Sequence, residues 1–383
     1  MSSGSLSNTL RQYRPLLLAC EAIGWLHMAG KAKADFLRGH GGQPSNYEYK
    51  RWLNFEFPAS QWESLIQWVQ KQYPLGNNAW PASLTDFITK HTERTSGLLG
   101  LLQAGHGMAS GIEKNLPSST SAYLGQSATH MWLTSPFGHP VRNLLADPPQ
   151  VLTDQGWQDL LCRIAKLLKD LQALGAASSS TPDDWWRWRE EAVGPGGWLR
   201  QAFLSTLAET RLPNNDVTLW DQSYVAAALF KAAVAGAVLV GSGFNWRDNS
   251  VKQQTRWRVL TVGFGTRHYE ARAVKIGDWT GARQDIERFF TKVRKLVEVD
   301  LAVGALIYRD DETLAFTFPG LRLDNNAQQS LDNNQAEHLR HEIEAEIDRL
   351  AQDHAFETPP CCVLSTSTRS FVPMVAELRR VRD

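Results

Sequence analysis

The chain has 383 residues, with 40 basic and 40 acidic side chains and therefore no formal net charge. Hydrophobic residues make up 43% and charged residues 21%, which excludes a disordered chain, a collagen-like chain and a disulfide scaffold. The neutral balance also excludes gross electrostatic attraction to nucleic acid as the main driving force for binding.

The cysteines and the N-terminus favour an intracellular protein. The apolar run over 16–20 is followed by Glu21 and no cleavage site, so it does not read as a signal peptide. The apolar stretch 225–240 is interrupted by Lys231 and is too short to span a bilayer. No two cysteines have the C-x-x-C spacing of a thiolate zinc site; they are Cys20, Cys162, Cys361 and Cys362. We therefore expect reduced thiols, a cytoplasmic location and no membrane partner.

The first two-thirds of the chain is predicted to be helical. Apolar residues at helical spacing predict helices over 16–28, 61–72, 83–90, 96–103, 154–174 and 218–240. Thr153 is the expected N-cap of the helix that begins at 154. The segments 136–149 and 176–182 are predicted loops. We interpret the 15 tryptophans as core residues, although a tryptophan beside arginine, as in 185–188, also suits stacking on nucleobases.

The pattern changes after the polar segment 241–255, where we place a boundary between a helical domain (1–245) and a second domain (250–383). The second domain is predicted to contain a strand at 257–263, a helix at 279–299, strands at 304–308 and 314–318, a helix at 335–354 and a strand at 361–365. The order β-α-β-β-α-β is that of ferredoxin-like domains, so the predicted fold class is α+β.

A last amphipathic helix is predicted over 370–383, without a Gly or Pro stop signal. The sequence therefore reads either as the front part of a longer protein or as a naturally frayed terminus. The apolar residues of this helix are Phe371, Val372, Met374, Val375 and Leu378. Without a later domain to cover them, we expect an exposed patch and self-association of the chain.

Residues 21–31 read Glu-Ala-Ile-Gly-Trp-Leu-His-Met-Ala-Gly-Lys. This block resembles the signature of the HD superfamily of metal-dependent phosphohydrolases. In that superfamily a helix presents His-Asp, followed by Gly-Lys, to a divalent cation that activates water. His27 matches the histidine, but Met28 stands at the aspartate, and a thioether is a poor ligand for Mg²⁺ or Mn²⁺.

Two further blocks resemble one branch of the superfamily. In residues 103–114, Gly105 follows an alanine and precedes His106. That branch has a metal-binding aspartate at the position of Gly105. Residues 216–223 resemble Asp-Thr-Ser-Leu-x-Asp-His-Ser, with Asp221 at the second aspartate and Gln222 at the histidine.

The branch is the large subunit of type III CRISPR effector complexes, which continues from an HD domain into two ferredoxin-like palm domains. Stretches similar to a divergent subfamily are 257–260, 275–278, 307–310 and 367–374. The resemblance covers essentially the whole chain, but only the front portion of a family member. It implies a degenerate HD domain followed by the first palm domain. It also implies antiviral defence, with other effector subunits and guide RNA as partners.

Differences between this sequence and the family argue against both activities of the family, which are metal-dependent hydrolysis by the HD domain and oligoadenylate synthesis by the palm. Met28 and Gly105 are not carboxylates, the cyclase motif Gly-Gly-Asp-Asp is missing from the sequence, and no cysteine pair suits the family's zinc element. We therefore expect a non-catalytic scaffold without metal or cofactor. Its remnant positions are His27, Met28, Gly105, His106 and Asp221. His27 is interpreted as a core histidine, His106 as structural or facing a vacated cleft, and Asp221 as a helix-start carboxylate.

Two alternatives remain open. The first is a stand-alone HD-type phosphohydrolase or nuclease that holds a divalent metal with His27, His106 and Asp221. The second is a palm domain that senses ATP through 304–320, with Asp310 and Asp311 at a hairpin tip. We favour a turn for these two aspartates, because the end of the first strand offers no partner acid.

Basic residues near the C-terminus are candidate contacts to an RNA backbone, although a solvated helix face is the commoner explanation for such residues. They are Arg369, Arg379, Arg380 and Arg382.

Overall fold

The computed structural model describes residues 5–40, 48–55, 57–93, 95–111, 131–134, 142–210, 214–320 and 332–382. The protein is a mixed α and β structure. Its helices are α1 Leu6–Leu26, α2 Ala34–His40, α3 Trp52–Phe55, α4 Ala59–Gln72, α5 Asp86–Thr89, α6 Gly97–Ala109, α7 Asp154–Ala176, α8 Pro182–Val193, α9 Trp198–Leu204, α10 Leu219–Val240, α11 Val251–Gln254, α12 Thr266–Arg272, α13 Ile276–Lys295, α14 Asn333–Asp353 and α15 Phe371–Arg382. Its strands are β1 Trp132–Leu133, β2 Arg142–Asn143, β3 Asn214–Asn215, β4 Trp257–Gly263, β5 Leu306–Arg309, β6 Thr313–Pro319 and β7 Cys361–Leu364.

The alanine-rich helix α10 lies between α1 and α6 and also contacts β4, β5 and β6. Small residues permit this close approach. A Cβ added at Gly24 of α1 would lie 2.6 Å from the Cα of Ala227, and one at Gly105 of α6 would lie 2.9 Å from the carbonyl oxygen of Ala226. Both distances are too short for a side chain, so glycine at these positions sets the spacing of the three helices.

Helix α10 is also long and apolar enough to pass as a membrane span, since the stretch Leu219–Gly243 has a mean hydropathy of 1.9. In this structure 72% of its most apolar window is buried inside the protein. The burial agrees with the predicted buried, alanine-rich helix.

The four larger strands form an antiparallel sheet in the order β5-β6-β4-β7. Helix α13 connects β4 to β5, and α14 connects β6 to β7. Every residue of β6 is buried, so both faces of this strand are covered. The predicted β-α-β-β-α-β order is therefore found, with the short helix α12 in addition. A second, small sheet has the order β2-β1-β3.

Helix α1 begins well before the predicted start and continues through Pro15, which lacks the N–H of a regular helical residue. Contacts with distant segments stabilise this extension. The Glu342 carboxylate of α14 accepts the backbone N–H groups of Leu6 (3.2 Å) and Ser7 (2.7 Å). Arg11 binds Asp300 with an Nε–Oδ2 distance of 2.9 Å. Tertiary contacts thus outweigh the local cost of the proline.

Six helices, α2, α3, α8, α9, α11 and α12, were not predicted from the sequence. Helix α8 carries the tryptophan run and begins with a capping box, in which Thr181 and Asp184 bond each other's backbone N–H groups. Trp185 and Trp188 are buried, in agreement with their interpretation as core residues. The predicted helix over 279–299 corresponds to α13 and a following π-helical turn, Leu296–Asp300.

That π-helical turn carries Glu298 into a network of buried charges that joins both parts of the chain. Arg189 of α8 lies 2.9 Å from Glu21 of α1 and 2.9 Å from Glu298. Lys231 of α10 lies 2.8 Å from Glu21, and Arg294 of α13 lies 3.0 Å from Glu298. Glu21, Arg189, Lys231 and Glu298 are at most 1% exposed. Each buried charge therefore has a partner of opposite sign.

The network makes stability depend on pH. The neighbouring charges of Arg189, Arg294 and Lys231 outweigh burial and lower the pKa of Glu298 from 4.5 to about 2. A carboxylate with a lowered pKa stabilises the fold above its unfolded-state pKa. This contribution is therefore present at neutral pH and is lost as the pH falls from about 4.5 towards about 2.

One hydrophobic cluster extends from Leu10 to Met374 and includes residues on both sides of the proposed boundary. The division into 1–245 and 250–383 stays a prediction. In α15, Met374 is buried, and Phe371 and Leu378 pack against the cluster. Val372 and Val375 remain exposed, at 79% and 46%. The expected apolar patch is thus limited to these two side chains.

Replacement of Gly105 by Ala is expected to destabilise the protein, because the new Cβ would overlap the backbone of α10. The matched control is Gly281→Ala in α13, where nothing lies within 4 Å of the added Cβ. This control gains helix propensity of up to about 1 kcal/mol without a clash. Thermal unfolding should show a lower melting temperature for the first variant and an equal or higher one for the second. Equal effects would contradict the close packing of α6 and α10.

Replacement of Arg189 by Met should lower the free energy of unfolding by roughly 3–5 kcal/mol, because Glu21 and Glu298 lose their shared partner in a buried site. The control is Arg187→Met on the same helix, where the side chain is 76% exposed. Its effect should stay within about 0.5 kcal/mol. Denaturant unfolding measures both, and a similar loss in the two variants would contradict the role of the network.

Candidate functional site

Three histidines from separate segments meet in the interior. His27 follows α1, His91 follows α5 and His106 lies on α6. Their nearest ring nitrogens all lie within 4.8 Å of one another, and all three residues are buried. We call His27, His91 and His106 the histidine cluster.

Backbone carbonyls fix the orientation of two of the rings. The Nδ1 atom of His27 lies 2.6 Å from the Gly24 oxygen, and that of His91 lies 2.7 Å from the Ile88 oxygen. Because a carbonyl oxygen only accepts, each Nδ1 carries the hydrogen and each Nε2 presents a lone pair. The Nε2 of His27 faces the Nδ1 of His106 at 3.0 Å. The Nε2 of His91 is buried without a hydrogen-bond partner among the described residues.

His27 and His91 are neutral at pH 7. Burial, together with the nearby charge of Lys31, lowers the pKa of His27 from 6.5 to about 4. Burial also lowers the pKa of His91 well below 6.5, with further contributions from His27 and Lys31. Neutral imidazole with its other nitrogen bonded to a carbonyl is the form in which histidine binds metals.

The donor set suits some metals better than others. Three imidazole nitrogens fit Zn²⁺ or another first-row transition ion, whereas Mg²⁺ prefers oxygen ligands. No carboxylate belongs to this group among the described residues. Lys31 opposes a cation here, since its positive charge already acts on His27 and His91. The Lys31 ammonium bonds the carbonyl oxygen of Ala208 and the side chain of Gln222.

The two positions at which the family has carboxylates are closely packed. Met28 is fully buried within the main hydrophobic cluster. Gly105 lies against the backbone of α10, where a side chain would meet Ala226 and Phe230. The cleft that the sequence suggested beside His106 is therefore occupied by α10. His106 instead faces His27.

The block 216–223 contacts the block 21–31 through Gln222. The Gln222 side chain accepts a hydrogen bond from Lys31 at 3.1 Å. Asp221 points elsewhere. It is exposed and forms a capping box with Thr218 at the start of α10. The structure therefore does not place Asp221 beside His27 and His106, and the third side chain next to them is that of His91. The sequence offered no motif around His91 that marked it.

The hairpin aspartates form a turn. Asp310 accepts hydrogen bonds from the backbone N–H of Glu312 (2.9 Å) and from the hydroxyl of Tyr308 (2.8 Å). These bonds lower the pKa of Asp310 despite its partial burial. Asp311 is largely exposed and lies 3.2 Å from Arg283.

A pocket of about 260 Å³ lies where β4 ends. Among the residues that line it, Glu312 is acidic.

The segment 304–320 forms the β5–β6 hairpin. A Cβ added at Gly304 would overlap the carbonyl oxygen of Thr317. This glycine therefore serves strand packing.

The basic residues near the C-terminus are separated. Arg369 precedes α15 and donates to the carbonyl oxygen of Gln253 at 2.8 Å. Arg379 is exposed on α15. Arg380 and Arg382 belong to the same helix, but their side chains lie outside the described part of the chain.

No family model, curated protein or solved structure matches this chain.

Proposed function

We propose that this chain is a catalytically inactive scaffold of an RNA-guided antiviral complex, related to the large subunit of type III CRISPR effectors and located in the cytoplasm. Its front part is proposed to be a degenerate HD-like domain and its second part a ferredoxin-like palm. The observation that carries the proposal is the meeting of the three sequence blocks at one place in the fold.

The three blocks are far apart in the sequence, yet their distinctive residues touch. His27 of the first block contacts His106 of the second at 3.0 Å. Lys31 of the first block contacts Gln222 of the third at 3.1 Å. Unrelated short matches would have no reason to converge in this way, so the convergence supports a common origin with an HD site.

The sheet gives independent support. Its order β5-β6-β4-β7, with helices between β4 and β5 and between β6 and β7, agrees with the order expected of a ferredoxin-like domain and so supports this part of the proposal. It follows the three blocks along the chain, as the palm follows the HD domain in the resembling family.

Inactivity is supported by packing. Met28 is fully buried in the hydrophobic cluster, and the backbone of α10 occupies the space that a carboxylate side chain at position 105 would need. At the hairpin tip, Asp310 is bonded within its own turn.

The proposal is tested by purifying the tagged chain from the cells that encode it and sequencing the RNA bound to it. We expect RNAs with a constant repeat-derived end and variable guide sequences. The purified chain should neither cleave single-stranded DNA with Mg²⁺ or Mn²⁺ nor form oligoadenylate from ATP. An absence of guide RNA would contradict the scaffold, and cleavage lost in His27→Ala would contradict inactivity.

A second candidate is a metal-dependent phosphohydrolase or nuclease that uses the histidine cluster. The oriented, neutral imidazoles of His27 and His91 favour it, as does the unpartnered Nε2 of His91. The charge of Lys31 disfavours a bound cation, and the cluster has no carboxylate for Mg²⁺ among the described residues. Three imidazole nitrogens suit Zn²⁺ or Co²⁺ better.

Titration with Co²⁺ tests this candidate, because the ligand-field spectrum reports on nitrogen ligands directly. The candidate predicts one ion per chain, with binding lost in His91→Ala and retained in His341→Ala, whose side chain is 64% exposed. It also predicts metal-dependent cleavage of single-stranded DNA. Binding without cleavage would assign the cluster a structural role, and absence of binding would reject the candidate.

A further inference from the structure

A pocket of about 490 Å³ lies between the end of α6, the segment before β4 and the start of α15. It is separate from the β4-end pocket and shares no residue with the histidine cluster. It is lined by Gly107, Met108, Gly111, Arg256, Thr368, Arg369, Ser370, Phe371 and Val372. No acidic residue is among them.

Arg256 is half-buried and Arg369 is exposed, and the two differ from the cations of the buried charge network. Arg189, Lys231 and Arg294 each contact a carboxylate. Arg256 and Arg369 have no ion pair among the described residues, and the Nε of Arg256 is buried without a hydrogen-bond partner there. Arg369 donates one N–H to a backbone carbonyl, that of Gln253. The pocket thus contains two neighbouring positive charges that the described part of the chain does not neutralise.

The charges of Arg256 and Arg369 are close enough to act on each other. Burial and the charge of Arg256 lower the pKa of Arg369 from its usual value. A third basic side chain is close, since the Cε of Lys252 lies 3.6 Å from the Cβ position of Gly107. Like charges in a partly buried site repel one another, and a bound anion removes this repulsion.

The rest of the lining suits a phosphate that carries an organic group. Helix α15 begins at Phe371 and has no acidic residue in its first turn, so its free N–H groups and dipole favour an anion. Thr368 and Ser370 supply hydroxyl groups. Phe371, Met108 and Val372 form an apolar wall beside them. Guanidinium groups bind phosphate through paired N–H donors, and an aromatic ring stacks on a base.

We propose that this pocket binds the phosphate group of a nucleotide or of a polynucleotide backbone, with Arg256 and Arg369 as the principal ligands. The inference does not rest on the proposed scaffold function, because it concerns the isolated chain. Phosphate binding and the recovery of guide RNA from cells are separate observations, and either can fail without the other.

The test is isothermal titration of the purified chain with AMP and, separately, with a single-stranded 12-nucleotide RNA that lacks a terminal phosphate. Arg256→Gln and Arg369→Gln should each weaken binding by about tenfold or more, as expected for the loss of a charge-assisted hydrogen bond. The control Arg267→Gln, at a side chain 84% exposed on α12, should bind as the unmodified chain does. Binding of AMP assigns a mononucleotide site, and binding of the RNA alone assigns a backbone contact.

A second variant keeps the test independent of folding defects. Val372→Glu replaces a side chain that is 79% exposed and places a carboxylate at the pocket rim. It should raise the melting temperature, because it neutralises the arginine pair, and weaken binding of either probe by about tenfold. Failure of both probes to bind the unmodified chain would overturn the proposal. Unchanged binding in Arg256→Gln and Arg369→Gln would also overturn it.

Discussion

The structure depends on one group of buried charges, Glu21, Arg189, Lys231 and Glu298, which are at most 1% exposed. An isolated charge in such a site would cost several kcal/mol, so each member requires the others to be in place. The members come from α1, α8, α10 and the turn after α13, and Glu298 also accepts the N–H of Leu306 at the start of β5. These ion pairs therefore link the helical part to the sheet, in addition to the contacts that α10 makes with β4, β5 and β6.

A second constraint acts beside the network, and it links packing to function. Helix α10 approaches α1 and α6 at Gly24 and Gly105, where a side chain would overlap its backbone. The same close approach brings His27 and His106 into contact. It also removes the room for a carboxylate at position 105. A glycine that looks in the sequence like the loss of a catalytic ligand is thus required by the packing of the helices. A single reverse substitution would disturb the core before it restored a metal site.

The sequence predicted those elements correctly that depend on a local pattern of residues. Strand β4 was predicted over the residues that form it, and Thr153 caps α7 through the N–H of Gly156. Prediction from the sequence failed where contacts between distant segments determine the structure. The early start of α1 depends on Glu342 of α14, which no local pattern reveals. His91 follows a one-turn helix and joins the cluster only through tertiary packing. The charge network could not be predicted either, because a Glu or an Arg on a helix normally indicates a solvated face.

Three sets of polar groups in this protein differ in how their charges are satisfied, and the difference indicates where a ligand belongs. The network around Glu298 is closed, since every cation meets a carboxylate. In the histidine cluster, burial lowers the pKa of His27 to about 4 and that of His91 well below 6.5, so these two side chains carry no charge that requires an ion. Arg256 is half-buried and Arg369 is exposed, and neither has an ion pair among the described residues. Repulsion between two neighbouring cations is relieved when an anion binds between them. Among these three sets of groups, the arginine pair is therefore the one at which an external anion gains most on binding.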